Sequence, residues 1–332
     1  MLLTLLIIAL VFVNISLGSV TIPLQNTFTI IFGGDNSNTS WTYIIWDSRI
    51  PKAFTAILVG SGLSLSGLLM QTLFRNPLAG PFVLGISSGA SLGAALLIMG
   101  ASIFSSIFSF SLFNDVSLAI ASSLGSFLVL LAVLSVAAKV KDTMSLLIIG
   151  LMFGSITGAV VSVLSYFSSA EKLQQYIYWG FGSLGGLSWS QLALLSLLVG
   201  VGILLSIISI KPLNAFLLGE NYAQSLGVEL KKSRFIIIIA TGLLAGAITA
   251  FAGPIAFIGL AVPHLTRQLF NTTDHKILVP AVCIYGGILM LICDTIAQLP
   301  TSASVLPINA ITSIIGAPVV IWLLIRKRKM VF

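Results

Sequence analysis

KPLNAFLLGENYAQSLGVELKKSR, residues 211–234, is a polar and cationic stretch set between two apolar runs, 191–210 and 235–252. Runs of about 20 apolar residues are long enough to cross the hydrocarbon core of a bilayer. The polar stretch therefore returns to a single membrane face. It is partly amphipathic and too long for a tight turn, so it offers a surface through which a partner could push on the helices at either end.

The same pattern extends along the chain. Hydrophobic residues make up 57% and charged residues 8%, too few charges to cover a soluble domain of this length. Reading windows of about 20 residues places apolar spans near 1–20, 53–74, 86–104, 116–138, 144–168, 191–210, 235–252, 255–269, 277–298 and 308–325, the eighth being short. The pattern predicts an all-α, polytopic integral membrane protein with about ten transmembrane helices. Residues 1–332 form a single transmembrane domain, with 211–234 as a segment within it. The first window lacks a basic leader and a small-residue cleavage site, so it is read as a membrane helix and not a secretory signal.

With ten spans, both termini share a side. That side carries Arg75, Lys139, Lys141, Lys211, Lys231, Lys232, Arg234, Arg267, Lys276, Arg326, Lys327, Arg328 and Lys329, which is 13 of the 16 basic residues. Arg49, Lys52 and Lys172 fall on the other. Lys and Arg concentrate on the cytoplasmic side, so both ends and the 211–234 segment are expected there. Topology and attraction to anionic membrane lipid account for the net charge of +7, with no nucleic-acid partner needed. Cys283 and Cys293 are ten residues apart in one span and do not share a helix face, so they read as apolar filler.

Two longer loops are expected outside, at 21–52 and 169–190. The first holds Gly33, Gly34, Asp35, Asn36, Ser37 and Asn38, a run expected to be irregular. The second holds Tyr176, Tyr178, Trp179 and Trp189, which suit an interfacial belt or a short helix along the surface. Small residues recur at four-residue intervals, as at Gly60/Ser64, Gly62/Ser66, Gly85/Gly89/Gly93 and Gly242/Gly246. In lipid, helices associate through such close approach. Asn76-Pro77, Gly80-Pro81 and Gly253-Pro254 break helices at membrane depth; the freed backbone groups must be buried in protein or face a water-filled path.

Several chemistries are missing from the sequence. No Gly-Lys pair and hence no phosphate-binding loop occurs, so the chain is read as a non-enzyme that holds no cofactor. His264 and His275 sit outside any cluster with metal-ligand spacing and read as structural. Asp294 is the one carboxylate well inside a span; it is either a structural hydrogen-bonding group or part of a pathway. Gln71 is a second pathway candidate. A route offering Ser, Thr, Asn, Gln, Gly and Met suits a bulky cargo whose charge is already masked, moved by an external energy source.

RIPKAFTAILVGSGLSLSGLLMQTLFRNPLAGPFVLGISSGA (49–90) resembles the second and third helices of the FecCD-type permeases of ABC importers. YWGFGSLGGLSW (178–189), PLNAFLLGENYAQSLGV (212–228), AGPIAFIGLAVPHLTR (252–267) and IGAPVVIWLLIRKR (315–328) resemble the same family, in order along the chain. The resemblance implies a multi-pass protein of the bacterial inner (plasma) membrane that carries an iron-siderophore complex, haem or cobalamin, with a ferric siderophore the first expectation. It implies a second permease subunit, identical or related, two ATPase subunits that bind ATP and Mg, and an extracytoplasmic substrate-binding protein. Arg49 and Lys52 match the family's basic pair that docks the binding protein, with Lys in place of a second Arg; a further docking Arg is Gln298 here. Asn76, Pro77 and Leu78, together with Thr143 and Ser145, match the cytoplasmic gate. Leu218, Gly219, Glu220, Ala223 and Gly227 match the segment that couples to the ATPase, which has Asn221 where the family has a second Glu. The apolar face of Leu213, Phe216, Leu217 and Leu226 is expected to sit in a cleft of the ATPase. The family's E-L-P-x-G reads Val305-Leu306-Pro307-Ile308-Asn309. Rival readings are an ion-coupled secondary transporter using Asp294 and a membrane scaffold that transports nothing.

Overall fold

The computed structural model describes residues 2–33, 39–100, 115–137, 139–140, 143–299 and 304–325. The Gly34–Asn38 run, residues 101–104 of the third window, Lys141 and the basic residues 326–329 lie outside the described residues, as does the side chain of Thr143.

The chain folds as helices, in order α1 (Leu2–Ser16), α2 (Leu24–Ile31), α3 (Thr39–Tyr43), α4 (Ile50–Leu73), α5 (Ile86–Ile98), α6 (Asp115–Ala137), α7 (Thr143–Tyr166) and α8 (Ala170–Gly180). There follow α9 (Trp189–Ile208), α10 (Ile210–Leu217), α11 (Glu220–Ser225), α12 (Leu230–Ala252), α13 (Ile258–Phe270), α14 (His275–Ala297) and α15 (Ile308–Ile325). Among the described residues there is no strand. Six helical stretches are long and apolar enough to cross a membrane: Thr39–Leu73, Val116–Ala137, Met144–Tyr166, Trp189–Ile208, Leu230–Ala252 and His275–Ala297. Shorter apolar helices occupy Leu3–Ser16, Ile86–Ile98 and Ile308–Trp322, and α13 has 13 residues. Each expected window thus contains a helix, while six reach spanning length by themselves.

The outer loops are more helical than expected. Residues 21–52 contain α2 and α3, and α3 runs without a break through a π-helical turn, Ile44–Arg49, into α4. Pro51 explains the wide turn. It cannot donate to the carbonyl one turn back, and its ring collides with it, so the helix widens just upstream. The second loop contains α8, the surface helix weighed against an interfacial belt.

α4 lies at the centre. From Val59 to Leu73 every residue is buried, so this part of the helix has no lipid-facing side. It is ringed by α9, α12, α13 and α14. Small residues make the ring possible. A Cβ on Gly60 would run into the carbonyl of Gly286 in α14, and one on Gly67 into Gly259 in α13. Gly89 meets Gly125, and Gly93 meets Ala121, where α5 crosses α6. These backbones touch directly, which is the packing that small-residue spacing favours in lipid. Gly67→Ala is therefore expected to cost about 3 kcal/mol, since the opposing Gly259 backbone has no rotamer with which to yield. Thermal melting of the solubilised protein checks this; an unchanged midpoint would refute the close crossing.

At the 253–254 break, protein groups satisfy the freed backbone. Ser183 N–H donates to the Ala252 carbonyl at 2.8 Å, and Ala256 N–H donates to Asn309 Oδ1 at 3.0 Å. Asn309, where the family pattern has glycine, thus ties the break to α15. By contrast, α7 keeps a broad apolar face exposed, including Ile148, Met152, Ile156 and Val163, a surface for lipid or another membrane subunit.

Candidate functional site

The 211–234 segment folds as an elbow. α10 and α11 meet at Gly219, whose φ of +101° lies in a region open to glycine and costly to side chains. α11 ends at Gly227, φ +83°, with Val228 N–H closing on the Ala223 carbonyl at 3.1 Å, a helix-terminating motif that needs a left-handed residue. An ion pair between Glu220 and Arg234, 2.5 Å, fastens the elbow to α12.

The structure revises which face of the elbow is free. Leu213 is 0% exposed and Phe216 3%. Both belong to this chain's own hydrophobic core, as does Ala223, so none of the three is available to a partner's cleft. Leu217 is half-buried. Instead Leu218, Tyr222 and Leu226 are exposed at 62%, 58% and 60%. Tyr222 and Leu226 lie one helical turn apart on α11 and its C-cap, and Leu218 stands at the end of α10 on the other side of the Gly219 break; all three are exposed apolar side chains of the elbow. Leu218 and Leu226 were expected in the coupling segment; Tyr222 was not singled out.

Above the elbow, α4 ends in a closed C-terminal motif. Arg75 adopts φ +46°, and Asn76 N–H donates to the Gln71 carbonyl at 3.1 Å. An arginine in this left-handed position is unfavourable by about 1 kcal/mol and sets the direction of the following loop. Asn76 Oδ1 then accepts from Leu78 N–H at 2.9 Å. The Pro77 carbonyl lies 2.8 Å from His264 Nε2; a carbonyl only accepts, so Nε2 carries the proton. Leu78 is 47% exposed at the tip. Of the other expected gate residues, Thr143 starts α7 and Ser145 is half-buried within its first turn. α7 meets the segment after the gate loop deeper, where Gly150 lies against Val83 and Gly154 against Ser88.

Gln71 is 0% exposed. Its amide donates to the Leu260 carbonyl at 3.2 Å and accepts from Arg267 at 3.0 Å. Both ends are used to clamp α4 to α13, so it lines no open path here. A second network joins the elbow to α14. Asn214 donates to Asp274 Oδ1 at 2.7 Å and accepts from His275 N–H at 2.9 Å, while His275 contacts Thr72 Oγ1 of α4 at 2.9 Å. The Lys276 N–H and then the Asn214 amide hold the Asp274 carboxyl below its ordinary pKa.

At the opposite end, the expected docking cations are engaged internally. Arg49 is 9% exposed. It donates to the carbonyls of Ile15 at 2.6 Å and Ser16 at 3.0 Å and also to that of Val20. The last carbonyls of α1 have no intrahelical partner, and a cation there complements the helix dipole. Arg49 is thus the cap of α1 and not a free surface charge. Lys52 pairs with Asp294 at 3.0 Å. Asp294 also accepts from Asn14 at 3.0 Å and from Gln298 at 2.8 Å, and it is 2% exposed. The carboxylate left open as a pathway group is the centre of a closed knot joining α1, α4 and α14.

The helices pack around α4, and the 76–78 loop that follows α4 lies beside the elbow with its exposed apolar side chains. A model of the FecCD transport family matches residues 5–326, and the chain belongs to that family; it is a transport component and not an enzyme. It is 39% identical over 285 residues to a vitamin B12 import system permease protein BtuC of Klebsiella pneumoniae, covering 86% of this chain and 83% of that one. The counterpart from Salmonella typhi is 37% identical over 298 residues, covering 89% and 88%. A solved structure described as a metal-chelate type ABC transporter in an inward-facing conformation superposes with a TM-score of 0.84 at 29% identity, covering 98% of each chain.

Proposed function

We propose that this chain is the membrane-spanning subunit of an ATP-binding-cassette importer, which moves a bulky metal chelate inward by alternating access. The observation that carries this reading is the elbow. Its exposed apolar side chains Leu218, Tyr222 and Leu226 are free for a partner, while its inner face is built into the core that holds α4 and the gate loop. Movement of a docked ATPase would therefore reach the cytoplasmic mouth through packed protein.

The reading assigns about ten transmembrane helices with both termini cytoplasmic, supported by the 13-to-3 division of basic residues. ATP and Mg bind two partner ATPase subunits. A second permease, identical or related, pairs through lipid-exposed apolar faces such as that of α7, and a substrate-binding protein docks outside. With Arg49 and Lys52 engaged internally, docking through that pair requires the knot around them to open.

The names of the relatives, vitamin B12 importers, make cobalamin the first cargo to test. None of these names supports the ferric siderophore expected from sequence, so it serves as the competitor. In proteoliposomes holding the complete complex, labelled cobalamin is expected to accumulate only with ATP inside the compartment that faces the elbow. Accumulation of a ferric siderophore instead would transfer the cargo assignment. Uptake of either without the ATPase, abolished by an uncoupler, would establish the secondary-transporter reading.

A further inference from the structure

We infer that Asn214, Asp274, His275 and Thr72 act as a strut that positions the cytoplasmic gate according to the state of the elbow, an inference resting on the ATP-driven reading above. The sequence treats His275 as a lone structural histidine. The structure places it where three elements meet. It is 0% exposed at the first turn of α14, between α10 of the elbow and the last turn of α4.

The chemistry of the chain of contacts is fixed. Asn214 Nδ2 donates to the Asp274 carboxylate, so its Oδ1 is the acceptor for both the backbone N–H of His275 and His275 Nδ1, which lies 2.7 Å away. Nδ1 therefore carries a proton. The other ring nitrogen, unprotonated in the neutral imidazole, accepts the one proton of the Thr72 hydroxyl at 2.9 Å, and the Leu68 carbonyl, also 2.9 Å from that hydroxyl, is the competing acceptor within α4. One imidazole thus connects an elbow side chain directly to the helix turn that becomes the 76–78 loop three residues later. Beside it, a Cβ built on Gly219 would lie 3.6 Å from the guanidinium of Arg75, so the elbow's hinge also abuts the base of the gate.

Apolar side chains would fill this space and tolerate sliding. A buried polar network has one satisfied arrangement, so displacement of α10 either carries α4 with it or breaks the network. Coupling by packing alone needs no hydroxyl at Thr72, and this separates the strut from ordinary core structure.

The test uses the full permease–ATPase complex with Leu78→Cys as the reporter. The rate at which a membrane-impermeant maleimide labels it is measured with and without ATP, so no cargo is required. Thr72→Val keeps the shape and removes the hydroxyl; Thr72→Ser keeps the hydroxyl and loses a methyl group. The strut predicts that the ATP-dependent change in labelling falls about tenfold in Thr72→Val and persists in Thr72→Ser. ATP hydrolysis and ATPase affinity persist in both. The double variant Asn214→Leu/His275→Leu, which removes the amide–imidazole pair together and leaves the residue-275 backbone N–H and the Asp274 carboxylate one partner short, is expected to behave as Thr72→Val does. The reverse order, with Val retaining the response and Ser losing it, would establish a packing role and overturn the strut, as would a full response in all three variants. No nucleotide response in the parent complex, with ATPase bound, would overturn the ATP-driven reading itself.

Discussion

A permease carrying Leu218→Glu and Tyr222→Glu is expected to fold and insert normally yet lose its ATPase partner. Both side chains project from the elbow, at 62% and 58% exposure, and neither belongs to the core, so their replacement costs little in the isolated chain. In a docked complex, truncating a central aromatic anchor costs about 2 kcal/mol or more. Placing a carboxylate in an apolar cleft adds its desolvation. Two such changes amount to about 4 kcal/mol, or roughly a thousandfold weaker association. Binding titration of purified ATPase against the reconstituted permease reads this directly, and ATP-driven uptake should disappear with it. Leu213→Ala supplies the contrast. That side chain lies a short distance along the same segment but is 0% exposed, so its truncation should lower stability by about 2–5 kcal/mol while leaving the affinity of folded molecules unchanged. If the two substitutions exchanged phenotypes, the assignment of inner and outer faces would be reversed.

That contrast also shows what the sequence can carry. Leu213, Phe216 and Leu217 follow helical spacing and announce an apolar face, but spacing alone does not say whose core the face enters. In a soluble protein the apolar face would point inward by default. On an elbow between a membrane domain and a partner, both faces are apolar, and only the packing of α10 against α4 and α14 separates them. Helix positions and small-residue crossings were legible because apolar run length and helix pitch set them locally. The internal contacts of Arg49 were not legible for the opposite reason. A cation in a cation-poor region looks like a docking charge, and nothing nearby reveals that the unpaired carbonyls of α1, more than 30 residues earlier, converge on it. The partners of His275, read as structural from sequence, were hidden similarly, because Asn214 and Thr72 are close to it only after folding.

The second large effect is expected at Asp294. Its two carboxylate oxygens serve three donors, Lys52 on one and the amides of Asn14 and Gln298 on the other. Asp294→Asn keeps the shape but replaces one acceptor with a donor. Whichever way the new amide turns, it faces either the Lys52 ammonium or two side-chain NH2 groups. Removing one partner from such a buried pair costs about 3 kcal/mol, so thermal stability and folded yield should fall clearly. Lys52→Met with Asp294→Leu removes both charges and should recover much of that loss, since the desolvation cost of the pair goes with it. Transport separates this structural knot from a proton relay. ATP-driven uptake per folded molecule should be nearly unchanged in both variants, and an uncoupler should leave it unaffected. A relay would show the opposite pattern. Asp294→Asn would abolish uptake at full stability, and no substitution at Lys52 could restore it, because a neutral side chain at that position cannot release and regain a proton.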